Sequence, residues 1–285
     1  MTPEIHEIDK NDFPIRLLEI PHPPKKLYVR SNTELSTLLE GKKILTIVGP
    51  RKYTKYGKHC IESLIKSLKG LPIVIVSGLA YGIDSIAHEA AIENGIPTIA
   101  FPGSGLNDDV IYPRVHVRLA QKILDNNVAL LSECRQNKKT TNWIFPQRNR
   151  LVAGIAHAIL IPEAAEKSGT LITARLAVDY NRDLLVIPGN IDNPMSKGTN
   201  QFLRLGATPI TCVDDLHEAL GFPRSEDTQM KLFGDDNELS DQEKKVLKLL
   251  RQNMSRDNIV NELQLSAMQL NILITQLEIK GFNLL

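Results

Sequence analysis

Cysteine is scarce in this sequence. Cys60, Cys134 and Cys212 lie far apart and are odd in number, which argues against a disulfide framework and a CxxC metal site and suits a reducing cytosol. Long apolar runs are missing as well. The longest, around Ile73–Val76, is strand-sized and far short of a bilayer span. Met1–Asp12 is acidic and polar, without a basic start or an apolar stretch, so no secretion signal is read there. The formal net charge is only +1, which by itself selects no partner class. Two phosphate-binding fingerprints, G-x-G-x-x-G and G-x-x-x-x-G-K-[ST], are absent from the first regular strand–helix turn. Their absence weighs against NAD binding and ATP hydrolysis.

What is present is a regular alternation. Apolar runs at Ile44–Val48, Ile73–Val76, Thr98–Phe101, Val128–Leu131, Ala158–Ile161 and Leu184–Ile187 each end in a polar or glycine-bearing turn. Helical periodicity fills the gaps, as where Ile61, Leu64, Ile65 and Leu68 share one face. Continuous apolar strands between amphipathic helices predict an α/β domain, an extended Rossmann-like, doubly wound and mostly parallel sheet over 41–222. Residues 1–40 read as a lead-in, with Leu27–Val29 as a short edge strand. A polar linker follows at 223–237. The pattern at 238–285 is purely helical and predicts a small all-α, winged-helix-like domain of three helices. Ser240 with Glu243 matches a capping box, Ser255 suits the second helix as a cap, and Gly281 reads as the stop of the third. Leu285 then leaves no room for a β wing.

Charge is patterned locally. Lys42, Lys43, Arg51, Lys52, Lys55 and Lys58 fall in a stretch without an acidic residue, and Arg135, Lys138, Lys139, Arg148 and Arg150 in another. Such clusters are most often solvated faces, but these sit in loops predicted to face a ligand. In an open parallel sheet, ligands bind beyond the carboxyl ends of the strands. There the sequence places Gly49–Thr54, Ser77–Asp84, Pro102–Gly105 and Ser168–Thr173, rich in residues whose amides approach anions closely.

Trp143–Arg150 interleaves aromatic rings with arginines and admits two readings. It is either a surface that grips unpaired nucleic acid through phosphates and stacked bases, or a core segment with Trp143 and Phe145 inside and the arginines capping a helix. Three features invite an enzymatic reading. Asp84 and His88, four apart on one predicted helix, suit a metal half-site or an acid–base pair, but better a structural hydrogen-bonded pair. Ser168 lacks a G-x-S-x-G elbow and suits phosphate contact better than nucleophilic attack. Glu163 follows a strand end and is a candidate base with no evident partners.

Ile47–Gly57, Val76–Asp84 with Ala87 and His88, and Phe145–Arg150 with Ala153 and Gly154 resemble the motifs of the DprA/Smf DNA-processing family. So do Lys167–Ala174, Val186–Gly189, Gly198–Asn200 and Gly206–Ala207. The resemblance covers roughly 25–220 in order, and its motifs are specific in combination. It implies a cytoplasmic homodimer that binds single-stranded DNA in a basic pocket, without catalysis, metal, cofactor or membrane, and helps load RecA recombinase in natural transformation. By motif position Gly49, Arg51, Phe145, Arg148, Ser168, Gly169 and Thr170 line that pocket, with Asn149 and Arg150 beside them and Lys138 or Lys139 adding a phosphate contact. Pro50 departs from the family pattern by removing a backbone donor beside Arg51, and the chain is too short before Leu27 for the helical domain that many members carry. Two other classes stay open: a Rossmann-type nucleotide-processing hydrolase, and a duplex-binding regulator that uses the C-terminal helices.

Overall fold

The computed structural model describes residues 3–223, 239–251, 254 and 256–279. The chain divides into two compact units, Met1–Arg224 and Ser225–Leu285. The expected linker at 223–237, the Ser255 cap and the Gly281 stop lie almost wholly outside the described residues.

In the first unit the strands are β1 (Ile5–Ile8), β2 (Leu27–Arg30), β3 (Lys43–Ile47), β4 (Ile73–Ser77), β5 (Thr98–Ala100), β6 (Leu130–Ser132), β7 (Ala158–Ile161), β8 (Asp183–Val186) and β9 (Thr208–Pro209). The helices are α1 (Ile15–Leu18), α2 (Leu35–Leu39), α3 (Lys55–Ser67), α4 (Ile83–Glu93), α5 (Val117–Asp125), α6 (Ile144–Gly154), α7 (Thr170–Asp179), α8 (Lys197–Arg204) and α9 (Val213–Ala219).

The strands form one sheet in the order β1-β2-β6-β5-β4-β3-β7-β8-β9. The pairs β1–β2 and β2–β6 are antiparallel, and the rest are parallel. The predicted α/β class and mostly parallel sheet are thus present. Side chains alternate across the pleat. Val74, Val76, Ile159 and Ile161 enter one hydrophobic cluster, and Ile73, Ile75, Ala158 and Leu160 enter the other. The first cluster is completed by α5, α6 and α7, and the second by α3, α4 and α9. Both faces are covered, which explains why the strands read as continuous apolar runs.

The N-terminal segment is more than an approach to the sheet. Leu27–Arg30 is buried at every position and lies inside the sheet, because β1 covers the edge that it was expected to form. β1 carries His6 and Glu7 on its exposed positions, as an edge strand requires.

From β3 the chain proceeds through β4, β5 and β6 to one side, then returns to lay β7 against the other flank of β3. This reversal is a topological switch point, where an open α/β sheet forms a crevice at its carboxyl edge.

In the second unit, α10 (Asp241–Arg251), α11 (Arg256–Leu263) and α12 (Ala267–Ile279) enclose their own core of Val246, Leu249, Ile259, Leu270, Ile274 and Leu277. The expected capping box closes reciprocally: Ser240 N donates to Glu243 at 2.6 Å, and Glu243 N to Ser240 Oγ at 3.3 Å. Ser266 and Gln269 repeat it at the start of α12.

His88 is fully buried on α4, with Nδ1 2.7 Å from the Thr98 hydroxyl on β5. Burial, aided by the charges of His116 and Arg148, depresses its imidazole from 6.5 to about 3. The folded protein therefore keeps His88 neutral while the unfolded chain takes up a proton below pH 6.5. Its contribution is complete above that pH and declines as pH falls toward 3, by about 1.4 kcal/mol per unit. Urea unfolding at pH 7 and pH 5 should show stability lower at pH 5, with the difference reduced in His88→Gln. Parallel pH dependence in parent and variant would refute the assignment.

Candidate nucleic-acid interface

The loops following β3, β4, β5, β6 and β7 gather at the carboxyl edge of the sheet. Their glycines permit close approach there. A Cβ on Gly49 would fall 2.6 Å from Ile83, and Gly82, at φ 83°, would meet the Pro50 carbonyl at 2.3 Å. The start of α4 is thereby pressed onto the loop after β3, and Ile83 N donates to Pro50 O at 3.3 Å.

Asp84 locks this arrangement from inside. Its carboxylate accepts from Gly78 N at 3.1 Å and Ala80 N at 3.4 Å, and also from the Gly49 amide. Burial raises its pKa above the usual aspartate value, opposed by the Arg148 charge and these amides. Asp84 and His88 do not bond to each other: the first holds loops, the second holds β5. Each is structural, as expected, but the pair as such is not formed.

Arg148, from the second turn of α6, lies beneath the edge and is only 8% exposed. Nη1 donates to Phe101 O at 2.8 Å, whereas Nε has no protein partner. Burial lowers the guanidinium's pKa, and Asp84 opposes that shift. Its head group occupies the space that Gly78 leaves open, where a Cβ would sit 1.5 Å from Nη1. Arg148 is thus a buried cation at the floor of the site. Its contact with a ligand is limited, and its field projects into a low-dielectric pocket.

Above it lie the exposed Arg51 and the half-buried Phe145 and Tyr112. The Arg51 guanidinium sits 5.6 Å from the centroid of the Phe145 ring, within cation–π range. Phe145 lies 5.8 Å from the Tyr112 ring and rests against Gly103, where a Cβ would approach it to 2.8 Å. Arg51, Tyr81, Tyr112, Phe145 and Arg148 line one small pocket with Gly78 and Gly103. Trp143, at the start of α6, is 82% exposed, which excludes the core reading of that ring.

The remaining expected residues divide. Lys138 and Lys139 are exposed on the loop after β6, whose backbone is tied to the loop after β5 by Gly105 N donating to Lys138 O at 2.7 Å. Ser168, Gly169 and Thr170 open α7 beyond β7, across the switch point from Arg51. There Thr170 N donates to Ser168 Oγ at 3.2 Å, and Gly169 is exposed. Asn149 is half-buried. Arg150 does not join the group, since its guanidinium donates to His22 O and pairs with Glu133.

Glu163, the candidate base, is 1% exposed and already engaged. Its Oε2 accepts from Thr54 N at 3.0 Å and Oε1 from the Thr54 hydroxyl. Thr54 in turn caps α3 by accepting from Gly57 N at 3.1 Å. This ties the loops after β3 and β7 together and leaves no free carboxylate oxygen for proton abstraction. Among the described residues, no group of His, Cys, Asp and Glu side chains could hold a metal ion, and no helix is long and apolar enough to cross a membrane.

Sequence reasoning passed over Tyr56. Its hydroxyl donates to Pro188 O at 3.0 Å beyond β8, and the residue stays 49% exposed. Burial, with the neighbouring Cys60, pushes the phenol up to about 12, so it is a donor at neutral pH.

Comparison with known proteins places this geometry in context. Residues 4–221 match the profile of the family described as DNA recombination-mediator protein A. The DNA processing protein DprA of Streptococcus pneumoniae is 38% identical over 204 residues, spanning 72% of this chain and 70% of that protein. Protein Smf of Escherichia coli is 37% identical over 215 residues, 75% of this chain but only 56% of that protein's length. The X-ray structure of the Streptococcus pneumoniae protein superposes with a TM-score of 0.70 at 36% identity, covering 78% of this chain and 75% of the other. The Helicobacter pylori DNA processing protein A, studied for its single-stranded DNA binding mode, gives 0.68 at 33% identity, covering 77% and 98%.

Gly78→Ala should force the Arg148 guanidinium from its place and cost about 1–3 kcal/mol, as overpacked cores do. Urea denaturation measures this, and unchanged stability would mean that Arg148 is not fixed by that space.

Proposed function

The chain belongs to the DNA recombination-mediator protein A family, and from that premise we propose that it binds single-stranded DNA without sequence preference at the carboxyl edge of its sheet. The observation that carries this reading is the exposed Arg51 guanidinium held over the Phe145 ring, above the buried charge of Arg148. Unpaired DNA offers phosphates and bare base faces. A cation beside a ring meets both, and every base has a π face, so the contact tolerates any sequence.

Lys138, Lys139 and the Ser168–Thr170 turn extend this surface with further phosphate donors. The chain then acts as a binder rather than a catalyst, since Asp84 and Glu163, the two carboxylates buried in these loops, are committed to holding them. That commitment counts against the hydrolase alternative. Protection of incoming DNA, transfer to RecA, homodimer formation and a cytoplasmic setting rest on family membership alone.

Anisotropy titrations of labelled oligo-dT at several salt concentrations test the site. Arg51→Ala should weaken binding and lower the slope of log K against log salt by about 0.7, the share of one phosphate contact on a single strand. Phe145→Ala should cost roughly 1–3 kcal/mol while leaving that slope unchanged. Parent-like binding by both variants would move the site elsewhere.

A further inference from the structure

We propose that the nucleic-acid track runs from the Arg51–Phe145 pocket across the switch point to a second stacking platform at the start of α3, made by Tyr56 and Tyr53 and flanked by Lys52 and Lys55. The proposal rests on the single-strand reading above and adds a subsite to it.

Tyr56 is built unlike an ordinary half-buried tyrosine. Such residues usually hide the ring and leave the hydroxyl in water. Here the hydroxyl is engaged by the Pro188 carbonyl while the residue as a whole remains 49% exposed, so an accessible side chain is fixed at its far end. A ring already immobilised loses little rotamer freedom when a base stacks on it. Tyr53, at the tip of the same loop, is 44% exposed.

The cations are placed to match. Lys52 and Lys55 are exposed, whereas Lys58 spends its charge on Glu62 at 3.6 Å. The acidic side chain closest to this loop, Glu163, is buried under Thr54 and does not compete for them.

Sheet order gives the spacing. Phe145 rests on the loop after β5 at Gly103, and Tyr56 is bonded to the loop after β8 at Pro188. From β5 through β4, β3 and β7 to β8 is about 19 Å at the usual separation of neighbouring strands. Several extended nucleotides cover that span. By strand order the loop after β7, with the exposed Gly169 at the N-terminus of α7, falls between the two ring platforms and is available to phosphates.

The test compares a short oligo-dT, long enough only for the first pocket, with one that spans both platforms. Tyr56→Ala should bind the short strand as the parent does and lose roughly five-fold or more on the long one, the effect of one lost stacking contact. Tyr56→Phe, which keeps the ring but loses its anchor on Pro188, should bind the long strand more tightly than Tyr56→Ala and less tightly than the parent. Lys52→Ala with Lys55→Ala should lower the salt slope by about 1.4, for the long strand alone. Undiminished long-strand binding by Tyr56→Ala, or equal losses at both lengths, overturns the second platform. If the first pocket itself is wrongly placed, Arg51→Ala and Phe145→Ala bind both lengths normally, which is a different pattern. Should Tyr56→Ala fail to fold, photo-crosslinking of the parent to 5-iododeoxyuridine oligonucleotides decides. Labels along the long strand should recover both the Phe145 and Tyr56 peptides, and recovery of the Phe145 peptide alone refutes the proposal.

Discussion

The carboxyl edge of this sheet depends on an opposed pair of buried charges. Asp84 gathers the amides of Gly49, Gly78 and Ala80, while Arg148 fills the volume beside Gly78 and bonds to Phe101. Together they fix the loops after β3, β4 and β5 relative to one another. Neither charge would persist alone in so dry a position, because a lone buried ion is strongly penalised. Each tempers the other's desolvation, and the exposed Arg51 and half-buried Phe145 are mounted on the frame that results.

Much of the fold was legible because burial on both faces writes β3, β4, β7 and β8 as unbroken apolar runs. β1 and β9 left no such trace. β1 is an edge strand with polar residues outward, and β9 is the exposed pair Thr208–Pro209. The absence of β1 from the sequence reading made Leu27–Val29 look like an edge. Periodicity carried the C-terminal helices, whose stripes coincide with the core of that unit.

The site was legible in part. Arg51, Phe145 and Arg148 do converge, but the run Phe145–Arg150 conceals helical geometry. On α6, residues two apart point about 200° from each other, so Arg148 and Arg150 cannot serve one pocket, and Arg150 turns instead to His22 and Glu133. The degree to which Arg148 is enclosed had no local signal either, since it follows from a glycine on a distant strand end. Tyr56 was hidden for the same reason, as its anchor is 132 residues away in the chain.

The clasp between Glu163 and Thr54 bears on kinetics. By joining the loops on either side of the switch point, it makes both halves of the edge a single stiff body whatever ligand they receive. Little ordering remains to be done on contact, so encounter rates should be set by electrostatic attraction. Differences in affinity among variants should then appear chiefly as differences in residence time.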